Sequence, residues 1–206
     1  MDELRTATEP ESSHQKPVQG GDFWRYSAEL IKTLLVVSVL AYGIRVYVLQ
    51  PFVVDGLSMY PGLHDKDYLL VDKLSYHLHQ PTRGDVVVFK YPKDISFNYV
   101  KRIIAFPGER VKITDSIVTI YNAEHPNGFT LKEPYVSDGN KTLPNPATNQ
   151  TDFTVQAGNY FVLGDNREGS SDSRDWGDLP ESDMIGRVLV LAYPINRFEL
   201  TPHATY

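Results

Sequence analysis

Asn98-Tyr99-Val100-Lys101-Arg102-Ile103-Ile104-Ala105-Phe106 is an apolar run rich in β-branched and aromatic side chains, and a Pro107-Gly108 turn follows it directly. From Tyr99 to Phe106 it reads as a β-strand. Lys101 lies inside this run. An alternating pattern turns that lysine inward, where burial would hold its amine neutral, although a solvated place on an outer strand face is also compatible with the pattern. Similar short runs recur at Tyr68–Asp72, Asp85–Phe89, Val111–Ile113, Ile117–Tyr121, Tyr160–Leu163 and Ile185–Ala192. Pro81-Thr82-Arg83-Gly84 and Thr114-Asp115-Ser116 supply turns between them. No stretch after residue 52 has a long amphipathic period. The soluble part is therefore predicted to be mainly β, a coiled antiparallel sheet closing on itself.

Residues 122–152 break this rhythm. They are rich in Asn, Pro, Gly and Thr and read as an irregular insertion, a mobile cap or flap. On the other side of the strands, Leu30–Leu49 holds only Lys32 and Arg45 as charges, both near its ends, where long side chains can reach a headgroup region. At ~1.5 Å per residue this run spans ~30 Å, the hydrocarbon thickness of a bilayer. A transmembrane helix over 30–50 is predicted, with a buried core helix and a cleavable signal peptide as the alternatives. Lys16, Arg25 and Lys32 precede or open the span, against Arg45 near its end, which places the N-terminus in the cytoplasm. Residues 1–29 then form a cytoplasmic tail, its first part polar and disordered.

Composition narrows the function. The chain has 206 residues, enough to bury a core, and a net charge of −6 with both signs interspersed, which argues against a nucleic-acid partner. It has no cysteine, so disulfides, thiol nucleophiles and Cys-ligated zinc are excluded. Its 13 tyrosines suit work near a membrane interface.

The other chemically distinctive stretch is Asp55-Gly56-Leu57-Ser58-Met59-Tyr60-Pro61-Gly62-Leu63. Glycine and proline bracket a lone hydroxyl here, so the chain can turn sharply and present Ser58 with backbone N–H groups free nearby; an ordinary turn has the same signature. A hydroxyl needs a base to become a nucleophile. None of the six histidines has a context that singles it out, and His77-x-His79 lacks a third ligand for a metal. Lysine can act instead if it is held neutral, which returns attention to Lys101. A third stretch, Gly164-Asp165-Asn166-Arg167-Glu168-Gly169-Ser170-Ser171-Asp172-Ser173-Arg174, follows a strand and packs hydroxyls and opposite charges into a tight loop.

Together these stretches, with Arg83-Gly84-Asp85-Val86-Val87-Val88-Phe89 between them, resemble in order the sequence boxes of type I signal peptidase, the membrane-bound Ser/Lys endopeptidase that removes signal peptides from exported proteins. The resemblance covers nearly all of residues 30–193. It implies Ser58 as nucleophile, Lys101 as general base, Ser170 as the hydroxyl that orients the lysine, and Asp172 and Arg174 as structural support for that loop. It also implies an oxyanion hole at the Ser58 N–H and at position 56, where some members carry a serine and this chain has Gly56. Gly62, where the family usually has threonine, and Leu57 are further departures. On this resemblance residues 51–206 form an extracytoplasmic protease domain that needs no metal or cofactor, with preproteins bearing signal peptides and membrane lipids as partners. Other readings are a membrane-tethered β-domain that binds extended peptides without cutting them, and a self-cleaving Ser/Lys repressor-type protease, which should carry a DNA-reading helix-turn-helix where this chain has its apolar span.

Overall fold

In the computed structural model, which describes residues 20–145 and 147–200, an N-terminal helix α1 (Gly20–Tyr47) leads into a series of strands. The first part of the expected tail, residues 1–19, lies outside the described residues. Residues 20–29 are helical, because nothing between Gly21 and Leu30 breaks a helix. At the other end the helix stops at Tyr47, short of the expected boundary at 50, because Leu49 begins a strand. Phe23–Arg45 is long and apolar enough to cross a membrane. Its 23 residues extend ~35 Å. Apolar side chains such as Leu34, Leu35, Val39 and Leu40 are exposed. The Ser27 and Thr33 hydroxyls donate to the Phe23 and Glu29 carbonyls at 2.8 and 2.9 Å, so each is satisfied within its own helix. These features are compatible with a membrane anchor.

The chain divides after Tyr42 into two units. The second is built from antiparallel strands. β1 (Leu49–Val53), β2 (Tyr68–Asp72), β3 (Val86–Lys90), β4 (Asn98–Ala105), β9 (Asn159–Leu163), β10 (Leu179–Pro180), β11 (Met184–Tyr193) and β12 (Glu199–Leu200) make the larger sheet, in the order β1-β2-β11-β3-β4-β9-β10 with β12 also on β11. A smaller sheet has the order β7-β6-β5-β8, from β5 (Arg110–Thr114), β6 (Ile117–Tyr121), β7 (Phe129–Thr130) and β8 (Asp152–Thr154). Single-turn helices α2 (Ser75–Leu78) and α3 (Ser173–Trp176) follow β2 and β9. Every strand run read from the sequence is a strand, with ends that coincide or differ by one residue.

The expected closure does not occur: the large sheet is open. Its terminal strands carry Pro51 and Pro180, which cannot donate to a further ladder. The insertion also differs from a free flap. Leu131, Thr142 and Asn145 are buried, so the segment is a strap packed on the domain despite its irregular backbone.

The central strands are covered on both faces. In β3, Val86 and Val88 join one apolar cluster with Met59, Leu63, Leu69 and Val71, while Val87 and Phe89 join another with Ile103 and Val162. In β4 and β9, Ile104, Phe161 and Leu163 pack instead against Val111, Ile113, Val118 and Ile120 of the small sheet. The small-sheet strands alternate exposed and buried, as one-sided strands do. Phe161 is fully buried at this junction of sheets, against Phe153 at 5.0 Å between ring centroids. Phe161→Ala is expected to cost about 3–5 kcal/mol in guanidinium unfolding of the detergent-solubilised chain. A loss under 1 kcal/mol would mean that the two sheets do not share this core.

Candidate active site

The turn after β1 is shaped by its own backbone. Val54 N–H donates to the Asp67 carbonyl at 2.8 Å and Lys66 N–H to the Val54 carbonyl at 2.9 Å, which closes a loop over residues 54–67. Gly56 takes φ +107°, a conformation side chains disfavour, and its N–H donates to Asp65 Oδ1 at 2.9 Å. Met59, 1% exposed, anchors the loop in the apolar cluster beneath it. Ser58 is left half-buried between these fixed points.

Lys101 meets it from β4. Its side chain is buried, the residue being only 3% exposed, and Nζ lies 2.8 Å from Ser58 Oγ and 3.0 Å from the Val100 carbonyl it donates to. Burial lowers the Lys101 pKa from its ordinary 10.5 to about 8, although the Asp172 and Asp165 carboxylates pull in the opposite direction. Asp172 is tied to Arg174, whose Nε and Nη2 each donate to it at 2.8 Å. Asp165 is held bidentately by Arg102, at 2.8 and 2.6 Å, and Arg102 also donates to the Gly84 carbonyl. With their charge largely committed to arginines, the two acids leave burial as the dominant influence on the lysine. No histidine hydrogen-bonds Ser58 among the described residues; His64 stacks on Tyr60 instead.

The loop after β9 grips the serine from the other side. Asn166 N–H donates to the Ser58 carbonyl at 3.0 Å, and Asn166 Nδ2 donates to the Leu57 carbonyl at 3.1 Å. Gly164 is required there by space: a Cβ would stand 2.2 Å from Ser170 Oγ and 2.5 Å from the Ser58 carbonyl oxygen. Asp172 Oδ2 accepts the Gly164 N–H at 3.1 Å, so the Asp172–Arg174 pair braces the same point.

Ser170 Oγ lies buried beside this seat with no hydrogen-bond partner among the described residues, and the Val100 carbonyl accepts from the Lys101 amine. Gly56 offers no second oxyanion donor, since it has no side chain and its N–H is committed to Asp65. The Ser58 N–H, by contrast, donates no hydrogen bond among the described residues. Sequence reasoning missed Gly164, Arg102 and Asp165 as site residues. The adjacent Lys101-Arg102 pair and the Gly164-Asp165 step after a strand were the available signals.

A cleft of ≈520 Å³ opens beside this pair, lined by Phe52 to Leu57 on one side and Asn98 to Lys101 on another. β3 pairs with β4 along its whole length, but β9 joins only from Arg102 onward, so the other edge of residues 98–101 faces away from that ladder. A buried amine whose pKa is lowered toward neutrality and which touches a hydroxyl, beside a trough with unpaired strand edge, can perform acyl transfer on an extended peptide.

A family model described as signal peptidase, peptidase S26, matches residues 27–193. A probable signal peptidase I-1 from Synechocystis sp. is 36% identical over 182 residues, covering 85% of this chain and 87% of the relative. Signal peptidase I of Leptolyngbya laminosa is 38% identical over 186 residues, covering 86% of each. Signal peptidase I T of Bacillus subtilis is 35% identical over 175 residues, covering 82% of this chain and 87% of the relative.

The Gly164 contacts generate a test. Alanine should force Ser58 and Ser170 apart and break the 2.8 Å approach of Lys101. Gly164→Ala is therefore expected to lower peptide cleavage by about a hundredfold or more with circular dichroism unchanged. Full activity in that variant would show that the seat is not shared.

Proposed function

The chain belongs to the signal peptidase family, peptidase S26, and is a signal-peptide-cleaving serine peptidase; from that premise we propose that Ser58 is its nucleophile and Lys101 its general base. The observation that carries the reading is the 2.8 Å contact between the buried Lys101 amine and Ser58 Oγ. In this scheme the neutral amine takes the serine proton as Oγ attacks the scissile carbonyl, and returns it to the departing amide nitrogen. The acyl-enzyme is then hydrolysed by a water that Lys101 deprotonates. The Ser58 N–H donates to the oxyanion, and preorganisation of such a donor by the 54–67 loop is what gives it value. The Ser170 hydroxyl, buried and unpartnered beside the same seat, orients the amine when substrate is bound. Asp172 and Arg174 support it.

The substrate is a preprotein whose extended segment ahead of the cut lies in the cleft, pairing by strand addition with the edges at 52–56 and 98–101. The further proposals concern topology: α1 crosses the bilayer once among its lipids, residues N-terminal to it are cytoplasmic, and the β unit from residue 51 on is extracytoplasmic. Basic Arg25 and Lys32 at the start of the helix support this orientation. Neither the non-cleaving β-domain nor the repressor-type protease is favoured, since the relatives matched over most of their length are signal peptidases.

With a pKa of about 8, roughly one Lys101 in ten is neutral at pH 7, against about one in three thousand at the ordinary value. Activity should therefore rise with pH along a limb centred near 8 and level off above it. Ser58→Ala and Lys101→Met should each abolish preprotein cleavage, read by mass analysis, in a folded protein. Lys101→Arg should fail as well, because guanidinium stays charged. An active Lys101→Arg enzyme, or a limb that vanished on replacing His64, would sink the Ser/Lys assignment.

A further inference from the structure

The strap at residues 131–145 has no part in the proposed chemistry, yet it meets the loop behind Ser58 through charge and hydrogen bonds. Arg167 is the point of contact. Its side chain is fully buried, at 0% exposure. Nη1 and Nη2 donate to the two Glu133 carboxylate oxygens at 3.1 and 2.5 Å, and Nη1 donates also to Thr142 Oγ1 at 2.7 Å. Nε turns the other way and donates to the Gly164 carbonyl at 2.9 Å. Gly164 is the residue at which an added methyl group would run into Ser170 Oγ and the Ser58 carbonyl oxygen, so there is no room for one.

We propose that Glu133 is a positioning residue for the cleavage reaction: by holding Arg167 it fixes the Gly164 carbonyl, and with it the seat shared by Ser58 and Ser170. The proposal rests on the reading of Ser58 and Lys101 as nucleophile and base. A buried guanidinium left without a counter-charge does not keep its place; it draws in water or swings out. Here the Glu133 carboxylate supplies that charge, and the guanidinium in turn is the rigid spacer between strap and seat. Displacement of the Gly164 carbonyl by an ångström passes directly to the Ser58 backbone, and misplacement of that size costs large factors in rate. Tyr135 gives the strap a second hold, its ring 4.0 Å from the guanidinium of Arg102, the neighbour of Lys101. The insertion thus holds Arg102 and Arg167, two of the arginines that adjoin the site, which gives a function to a segment otherwise without one.

A purely structural role for Glu133 would lower the folded fraction and leave the surviving molecules unchanged. A positioning role changes the site itself. The charged groups facing Lys101 are Asp172 and Asp165, each with its own arginine, and Glu133→Gln leaves both pairs in place. A loosened seat admits water to the amine, relieves its burial and moves the rising limb of the pH profile upward. The experiment measures kcat, KM and the pH profile for a preprotein with the full chain in detergent, for Glu133→Gln and for the milder Thr142→Val. Expected are a fall in kcat of at least about tenfold for Glu133→Gln, a smaller fall for Thr142→Val, KM within about twofold, and a limb displaced to higher pH in both. Wild-type kcat and limb in folded Glu133→Gln would overturn the proposal, as would a loss of rate with the limb unmoved. Should Glu133→Gln not fold, Thr142→Val decides by the same criteria. Ser58→Ala in the same assay separates the two readings: if it is folded and active the nucleophile assignment falls, whereas an inactive Ser58→Ala beside a wild-type Glu133→Gln overturns the role of Glu133 alone.

Discussion

A lysine amine kept out of water is the constraint around which the β unit is arranged. Lys101 lies on β4, and a residue there stays dry only if both faces of the sheet are covered. That requirement is met by dividing the core: one apolar cluster lies under the Ser58 loop, another under β3 and β9, and a third joins β4 to the small sheet. Consecutive residues Lys101 to Ala105 are all buried, which a sheet with one wet face would not permit. The small sheet therefore contributes to the site without touching it, by closing the face of β4 that would otherwise admit solvent.

Burying an amine near carboxylates creates a conflict, since each acid raises the pKa that burial lowers. The fold resolves it with arginines. Asp165 is held by Arg102 and Asp172 by Arg174, both within 2.8 Å, so the acids remain available as braces while much of their field is offset. Buried ion pairs of this sort add little net stability over apolar packing. Their use here is geometric: Arg102 ties β4 to the closing loop, Arg174 ties that loop to its own end, and Arg167 ties it to the strap.

The sequence made some of this legible and left some of it hidden, for identifiable reasons. Strands with alternating or continuous β-branched runs were readable because their period is local; β3, β6 and β11 are examples. Ser58 and Lys101 were paired through the resemblance of the sequence boxes, since each context alone was also compatible with an ordinary turn or an outer strand face, and the structure brings them together. β1 was hidden because Leu49–Val53 follows the apolar helix directly, and a run this short does not reveal its own geometry. The open ends of the sheet depend on what does not pair with Pro51 and Pro180, which no local pattern states. Gly164 and Glu133 were hidden for a different reason: their importance lies in contacts with residues more than a hundred and about thirty positions away in the chain, respectively.

The depressed lysine also sets a thermodynamic cost on the fold. A lysine whose pKa falls from 10.5 to about 8 on folding binds fewer protons in the native state than in the unfolded state between those values, so stability rises with pH through that window. Below about pH 8 the cost is fully present, on the order of 3 kcal/mol. Fully burying one side chain such as Ile103, Ile104 or Phe161 contributes about 1.5–3 kcal/mol. Two such side chains therefore offset the amine, and all three lie within the strands that position it. The gross burial of the packing that holds Lys101 dry is thus comparable in size to the cost of doing so.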